Sequence, residues 1–233
     1  MNFENRHVVV TGGTGALGVA VVGMLLAADA VCHVPYHSEE HAQSFAYRNH
    51  ERVSLVPLGN LADENAVTGF YGGLNPLWAS IHIAGGFAFA PIAQSDKSLL
   101  TEQLESNLIS AYLCSRAAVG AFRRGQGPGR IVNVAARQAL EPRLGAGLTA
   151  YTVSKAGLAA LTVALAEEVA REGIWVNAVA PSILDTHANR KSMPKADFDA
   201  WPKVEEAAAT IAFLASPQNS VTRGAVVPVY GKV

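Results

Sequence analysis

The sequence predicts an α/β protein, a doubly wound parallel sheet of about seven strands with helices on both faces. Three observations predict it. Strand-like and helix-like runs alternate along the whole chain, as right-handed crossover units require. Most of the strand-like runs are continuously apolar, as in a sheet covered on both sides. The first crossover carries a glycine-rich turn, Thr11-Gly12-Gly13-Thr14-Gly15-Ala16-Leu17-Gly18, between a strand and a helix.

The elements follow in order. The apolar run His7-Val8-Val9-Val10 places a first strand over 6–11, and the proline-free apolar run after the glycines places a helix over 16–28. Strand, helix, strand and helix follow over 30–36, 39–49, 53–57 and 64–72. A fourth strand over 78–84 leads to a long helix over 99–124. The tight turn Gly125-Gln126-Gly127-Pro128-Gly129 then opens a strand over 130–135. A helix over 150–172 and a strand over 174–180 follow, and Ser216-Pro217 stops a helix over 203–215 before the last strand over 225–229. The one long irregular stretch, 181–202, has the size of a functional loop, with a substrate lid over about 184–201. No repeat, linker or low-complexity tract interrupts the chain, so 1–233 reads as one domain.

Composition narrows the function. The 233 residues are half hydrophobic, enough for one sizeable core. With 18 Lys plus Arg against 19 Asp plus Glu and no basic stripe, neither nucleic acid nor an anionic membrane is an expected partner. Residues 1–6 are polar and lack a signal-peptide core, and the apolar run of the first helix is too short for a bilayer. Cys32 and Cys114 lie in apolar segments and read as buried thiols. A cytoplasmic protein is expected.

A glycine turn that opens a helix is a phosphate site. Missing side chains admit a pyrophosphate to the backbone, and the helix's free N–H groups face it. Gly12, Gly15 and Gly18 are spaced G-x-x-G-x-x-G, close to the Rossmann-type G-x-G-x-x-G. Ligands of such sheets sit at the carboxyl ends of strands. That rule selects Gly12, Thr14, Gly15, Ala16, Leu17 and Gly18 after the first strand, Tyr36, His37 and Ser38 after the second, and Asn60 and Leu61 after the third. It also selects Ala84, Gly85, Gly86 and Phe87 after the fourth strand, Ala136 and Gln138 after the fifth, and Pro181, Ser182, Ile183 and Thr186 after the sixth.

Tyr151 and Lys155 stand one helical turn apart, so both project from one face. The ammonium is expected to bring the phenol down from its ordinary value of about 10 toward neutral pH, where it can give and take a proton.

The glycine turn, Asn107 in the long middle helix, Tyr151-x-x-x-Lys155, and Pro181 after Val176-Asn177-Ala178-Val179 resemble the short-chain dehydrogenase/reductase family over essentially the whole chain. The resemblance implies hydride transfer between a nicotinamide cofactor and a small carbonyl or imine substrate. By position, Tyr151 is similar to the family's general acid/base. Lys155 matches its partner and ligand of the nicotinamide ribose. Asn107 matches the residue whose backbone holds a relay water, and Ile183 and Thr186 match contacts of the carboxamide. The family's serine at the end of the fifth strand is missing, because Asn133-Val134 is followed by Ala135-Ala136. Gln138 has the serine's usual spacing of thirteen residues before Tyr151. The family's Asn-Asn-Ala-Gly is here His82-Ile83-Ala84-Gly85, and its Pro-Gly is Pro181-Ser182.

Several departures resemble the dihydropteridine reductase branch. They are Ala84-Gly85-Gly86 followed by Phe87, Ala136-Arg137-x-Ala139-Leu140, Leu184-Asp185-Thr186, Asn189-Arg190-Lys191-Ser192-Met193-Pro194, Ala196-Asp197-Phe198 and Trp201. That branch also lacks the serine and reduces a conjugated imine. Phe87, Ala136, Gln138, Asn189 and Trp201 are thus the candidate substrate contacts, and an aromatic Phe87 can stack on a flat ring. A 3-oxoacyl or carbonyl reductase with a non-serine site is the alternative within enzymes. A protein that senses NAD(P) without turnover is the alternative outside them. The resemblance also implies a homodimer or homotetramer joined through the helices over 99–124 and 150–172.

At the end of the second strand a carboxylate would select NAD. Tyr36, His37 and Ser38 stand there instead, which leans toward NADP. Asn60-Leu61 resembles the pair that family members place against adenine. The histidines lack metal-site spacing, so no metal is expected, and His33 and His82 read as core residues.

Overall fold

The computed structural model describes residues 1–233. Seven parallel strands form one sheet in the order β3-β2-β1-β4-β5-β6-β7. They are β1 (His7–Thr11), β2 (Val31–Tyr36), β3 (Val53–Pro57), β4 (Ala79–His82), β5 (Gly129–Val134), β6 (Ile174–Pro181) and β7 (Val226–Val229). The side-chain alternation of a strand divides the core in two. Val8 and Val10 join α1 (Ala16–Leu26) and a C-terminal helix over Val204–Ala215 on one face. Val9 joins α3 (Glu64–Gly72), α5 (Ser110–Gly125) and the end of α7 (Thr149–Glu168) on the other.

Three expected elements take a different form. The helix expected over 39–49 is only α2 (Glu39–Ser44), because Phe45 turns extended and drops into the core at 3% exposure. The helix expected over 99–124 is three pieces: α4 (Lys97–Leu104), a π turn over Glu105–Ile109, and α5. In the π turn the N–H of Ser110 reaches the carbonyl of Glu105, five residues back. The lid contains α8 (His187–Ser192), and α9 (Val204–Ala215) follows it; a short α6 (Arg137–Leu140) follows β5. Finally, an 18-residue window of α7 reaches a mean hydropathy of 1.2, so one helix is long and apolar enough by composition to cross a membrane. Here α7 packs on β6 and α4, and it buries Ser154, Lys155 and Thr162 inside the protein.

A polar seam crosses the second core. Asn133 Nδ2 donates to Thr162 Oγ1 (2.9 Å), whose own hydroxyl donates to the Leu158 carbonyl. The Asn133 Oδ1 must therefore accept from His82 Nδ1 (2.8 Å), which leaves His82 Nε2 to accept from Ser80 (2.8 Å). Ser80 in turn accepts from Tyr71 at 2.7 Å. One tautomer of a neutral His82 satisfies the whole chain, and burial holds that imidazole down to about 4. The unfolded imidazole titrates near 6.5, so the unfolded chain takes up the proton first. His82 thus leaves stability intact above about pH 6.5 and withdraws about 3 kcal/mol as pH falls to about 4. Urea midpoints at pH 7.5 and 4.5 test this. His82→Asn should flatten the acid loss, and an unchanged slope in that variant would remove His82 as its cause.

Candidate active site

The sheet order reverses between β1 and β4, and the site forms at the carboxyl ends of these strands. Gly12 has φ +67°, and a Cβ there would lie 2.6 Å from the Ala84 nitrogen. A Cβ on Gly18 would lie 2.1 Å from the Gly12 carbonyl oxygen. Both contacts demand glycine. Gly15 is the N-cap of α1 and supplies no side chain to bond the first N–H groups; no acidic residue stands in the first turn. Those N–H groups have no partner within the helix, and the turn is a cradle of the size and polarity a diphosphate needs.

A cleft of about 440 Å³ runs from this cradle to the ends of β2 and β3. Of the residues selected from sequence, Gly12, Thr14, Gly15, Ala16, Leu17, Gly18, Tyr36, His37, Asn60, Leu61, Ala84 and Gly85 line it. His41, Leu58, Gly59, Glu105, Ser106 and Ser110 line it as well, and sequence reasoning missed them. Their signal was weak, since none belongs to a motif. Ser38 does not line the cleft; its hydroxyl caps α2 by accepting the His41 N–H at 3.3 Å. The Tyr36 hydroxyl donates to Glu39 at 3.2 Å. The glycine cradle and the adjoining cleft fit a dinucleotide.

Gly85 joins this cleft to the expected proton-transfer residues. A Cβ on Gly85 would lie 2.5 Å from Asn107 Oδ1 and 3.3 Å from Lys155 Nζ. Asn107 sits in the π turn at 1% exposure. Its Oδ1 accepts the Gly86 N–H at 3.1 Å, and its Nδ2 donates to the Gly86 carbonyl at 3.0 Å and to Ser154 Oγ at 3.2 Å. Lys155 Nζ donates to the Val134 carbonyl at 2.8 Å and stands 6.0 Å from the Tyr151 ring centroid. Phe87 meets the Tyr151 ring edge-to-face at 5.1 Å.

The expected acidity of Tyr151 needs correction. Burial pushes the phenol up to about 12 instead of toward neutral, and burial brings Lys155 down to about 8. One N–H of the ammonium goes to the Val134 carbonyl.

The remaining expected residues do not line the cleft. Ala136, at 4% exposure, offers no hydroxyl where the serine is absent, and Gln138 is half-buried on α6. Pro181 ends β6, Ser182 Oγ donates to the Tyr230 carbonyl (2.9 Å), and Ile183 is exposed. The Thr186 hydroxyl caps α8, and Asn189 Nδ2 donates to the Leu184 carbonyl (2.8 Å). Trp201 is 5% exposed and packs on Phe198. Asn189 and Trp201 thus also make contacts within the lid. No three His, Cys, Asp or Glu side chains gather as a metal would need.

Ion pairs pin the lid at both ends. Asp185, with its side chain 6% exposed, accepts from Arg190 Nη2 at 2.7 Å and from Lys203 Nζ at 2.6 Å. These two bonds hold its carboxyl well below the usual carboxylate range. Asp185→Asn is expected to speed limited proteolysis within residues 184–203 several-fold (roughly, the loss of a charge-assisted pair). Equal cutting rates in the two proteins would show that the pairs do not hold the lid.

Residues 6–197 match the family model described as short chain dehydrogenase. Galactitol 2-dehydrogenase of Rhizobium johnstonii is 32% identical over 97% of this chain and 94% of its own. The 2,3-dihydroxy-2,3-dihydro-p-cumate dehydrogenase of Pseudomonas putida is 28% identical over 98% and 94%. Among solved structures, ElxO with NADP bound superposes at a TM-score of 0.87, with 22% identity over 97% of this chain and 98% of that one. A short-chain dehydrogenase/reductase of Mycobacterium ulcerans reaches 0.89, with 22% identity over 100% and 90%.

Proposed function

The chain belongs to the short chain dehydrogenase family, and on that premise we propose that it is an NAD(P)-dependent reductase of a small, flat, conjugated imine or carbonyl compound, pterin-like or quinonoid. One observation carries the reading. The exposed ring of Phe87 stands edge-to-face on Tyr151, directly beyond the Gly85 wall of the nucleotide cleft. A second exposed aromatic, Phe89, lies over Gly147, with ring atoms 2.9 Å from where a Cβ would stand. Two exposed aromatic side chains, one of them on Tyr151, favour a flat substrate. Ala136 in place of the family's serine favours a conjugated one, which needs less polarisation at the reacting atom.

The glycine cradle would hold the diphosphate, and the cleft toward β2 and β3 the adenosine. When bound, the nicotinamide ring supplies the hydride. Tyr151 supplies the proton. Burial keeps its phenol protonated throughout the neutral range, which suits donation to a substrate nitrogen or oxygen. Lys155 stands behind it, fixed by the Val134 carbonyl, as the cation that favours the phenolate left after donation. Asn107 holds Gly86 and Ser154 and so fixes the wall on which Tyr151 rests. A protein that only sensed the cofactor would have no need of these three groups together.

The acidity of Lys155 sets a pH limit. Its ammonium is lost above about pH 8, so kcat/KM for reduction should fall about tenfold per pH unit beyond that point. A profile flat to about pH 9.5 would contradict the role of the ammonium. The function itself is tested by following reduced-nicotinamide absorbance against quinonoid dihydropterins, quinones and ketones. Turnover of the first two classes supports the reading; tight cofactor binding with no turnover of any would overturn it.

The exposed apolar residues Tyr112 on α5 and Val153 and Val163 on α7 support a homodimer or homotetramer. Burial pushes the thiols of Cys32 and Cys114 up to about 12 and keeps both unpaired, in keeping with a reducing cytoplasm.

A further inference from the structure

We infer that His37 and His41 together read the 2′-phosphate of the cofactor, so that the preference for NADPH over NADH is set by pH. The inference rests on the dinucleotide reading above and names what regulates that site. Adenosine ribose hydroxyls lie at the end of the second strand in such folds. In this chain the cleft there is walled by both imidazoles, whose rings meet edge-to-face with centroids 6.5 Å apart. That spacing lets both rings reach one phosphate.

No other group on this wall can replace them. Neither Lys nor Arg lines the cleft, so the usual permanent cation is missing. Ser38 is committed to capping α2. On the same element Glu39 is held by the Tyr36 hydroxyl at 3.2 Å, and neither Glu39 nor the adjacent Glu40 lines the cleft. Across the cleft, Leu58, Gly59, Asn60 and Leu61 carry no charge, and Asp63 is occupied with the N–H groups of Asn65 and Ala66. The one carboxylate lining the cleft is Glu105, on the π turn.

A neutral imidazole offers a phosphate one N–H and no charge. The imidazolium offers two and a full positive charge. A phosphate beside the rings favours their protonated form, so NADPH binding takes up protons. NADH lacks this phosphate and draws on neither ring's charge.

Fluorescence titration with NADPH and NADH at about pH 6.5 and 8.5, at fixed ionic strength, tests this. The NADPH Kd should rise tenfold or more between the two, and the NADH Kd should stay within about threefold. In a His37→Asn, His41→Asn double variant the pH effect on NADPH should vanish while NADH still binds, which also reports that the variant is folded. An NADPH-to-NADH ratio independent of pH in the unaltered protein, or a pH effect that survives in the double variant, would overturn the inference and leave the reductase reading standing. Failure of both dinucleotides to bind would overturn the reading and the inference together.

Discussion

Tyr151→Phe is expected to lower turnover about a thousandfold and leave cofactor affinity within about threefold, since general acid catalysis contributes ~10²–10⁴. The variant keeps the ring, the edge-to-face contact with Phe87 and the packing on α7. It removes only the hydroxyl, so any loss of rate reports the proton and not the shape of the site. No other hydroxyl stands ready to take over, because Ser154 donates to the Tyr151 carbonyl and accepts from Asn107. Single-turnover rates with cofactor titrations alongside would separate the two effects. Normal turnover in this variant would remove Tyr151 as the proton donor, and the proposed chemistry with it.

Gly18→Ala is expected to weaken NAD(P) binding about a hundredfold and to lower the thermal midpoint by several degrees. The added methyl would stand 2.1 Å from the Gly12 carbonyl oxygen and 2.6 Å from the Gly13 Cα. Both obstacles are backbone, so the cradle itself must open, and overpacking of this kind costs about 1–3 kcal/mol or more. Gly69→Ala provides the contrast. Gly69 lies in α3 with nothing within 4 Å of a new Cβ, and exchange for alanine there should stabilise by up to about 1 kcal/mol. Nucleotide titration and melting of both variants check this. Equal nucleotide affinity in the two would mean that the Gly12–Gly18 turn does not hold the diphosphate.

Much of the site was legible along the chain because its parts are local. The glycine spacing names a strand–turn–helix, and Tyr151 and Lys155 share a helical face by arithmetic alone. What the chain could not disclose was how those groups would be spent. Burial pushes the Tyr151 phenol up to about 12 instead of letting it fall, and the ammonium of Lys155 goes to the Val134 carbonyl. Asn189 and Trp201 make contacts inside the lid that the loop's sequence does not show. His41 looks like one of several stray histidines, and only the way α2 leaves β2 brings it with His37 to the cleft.

By itself, then, the order of residues determined the parallel sheet, the glycine turn between its first strand and helix, and the helical face shared by Tyr151 and Lys155. Each follows from periodicity or spacing within a few residues, where covalent geometry leaves little choice. The tertiary structure alone decided the acidity of Tyr151 and Lys155, the neutral state of His82, and the commitment of Asp185 to Arg190 and Lys203. Burial and partnership are properties of segments far apart in the chain, and both are settled only when the sheet closes over them.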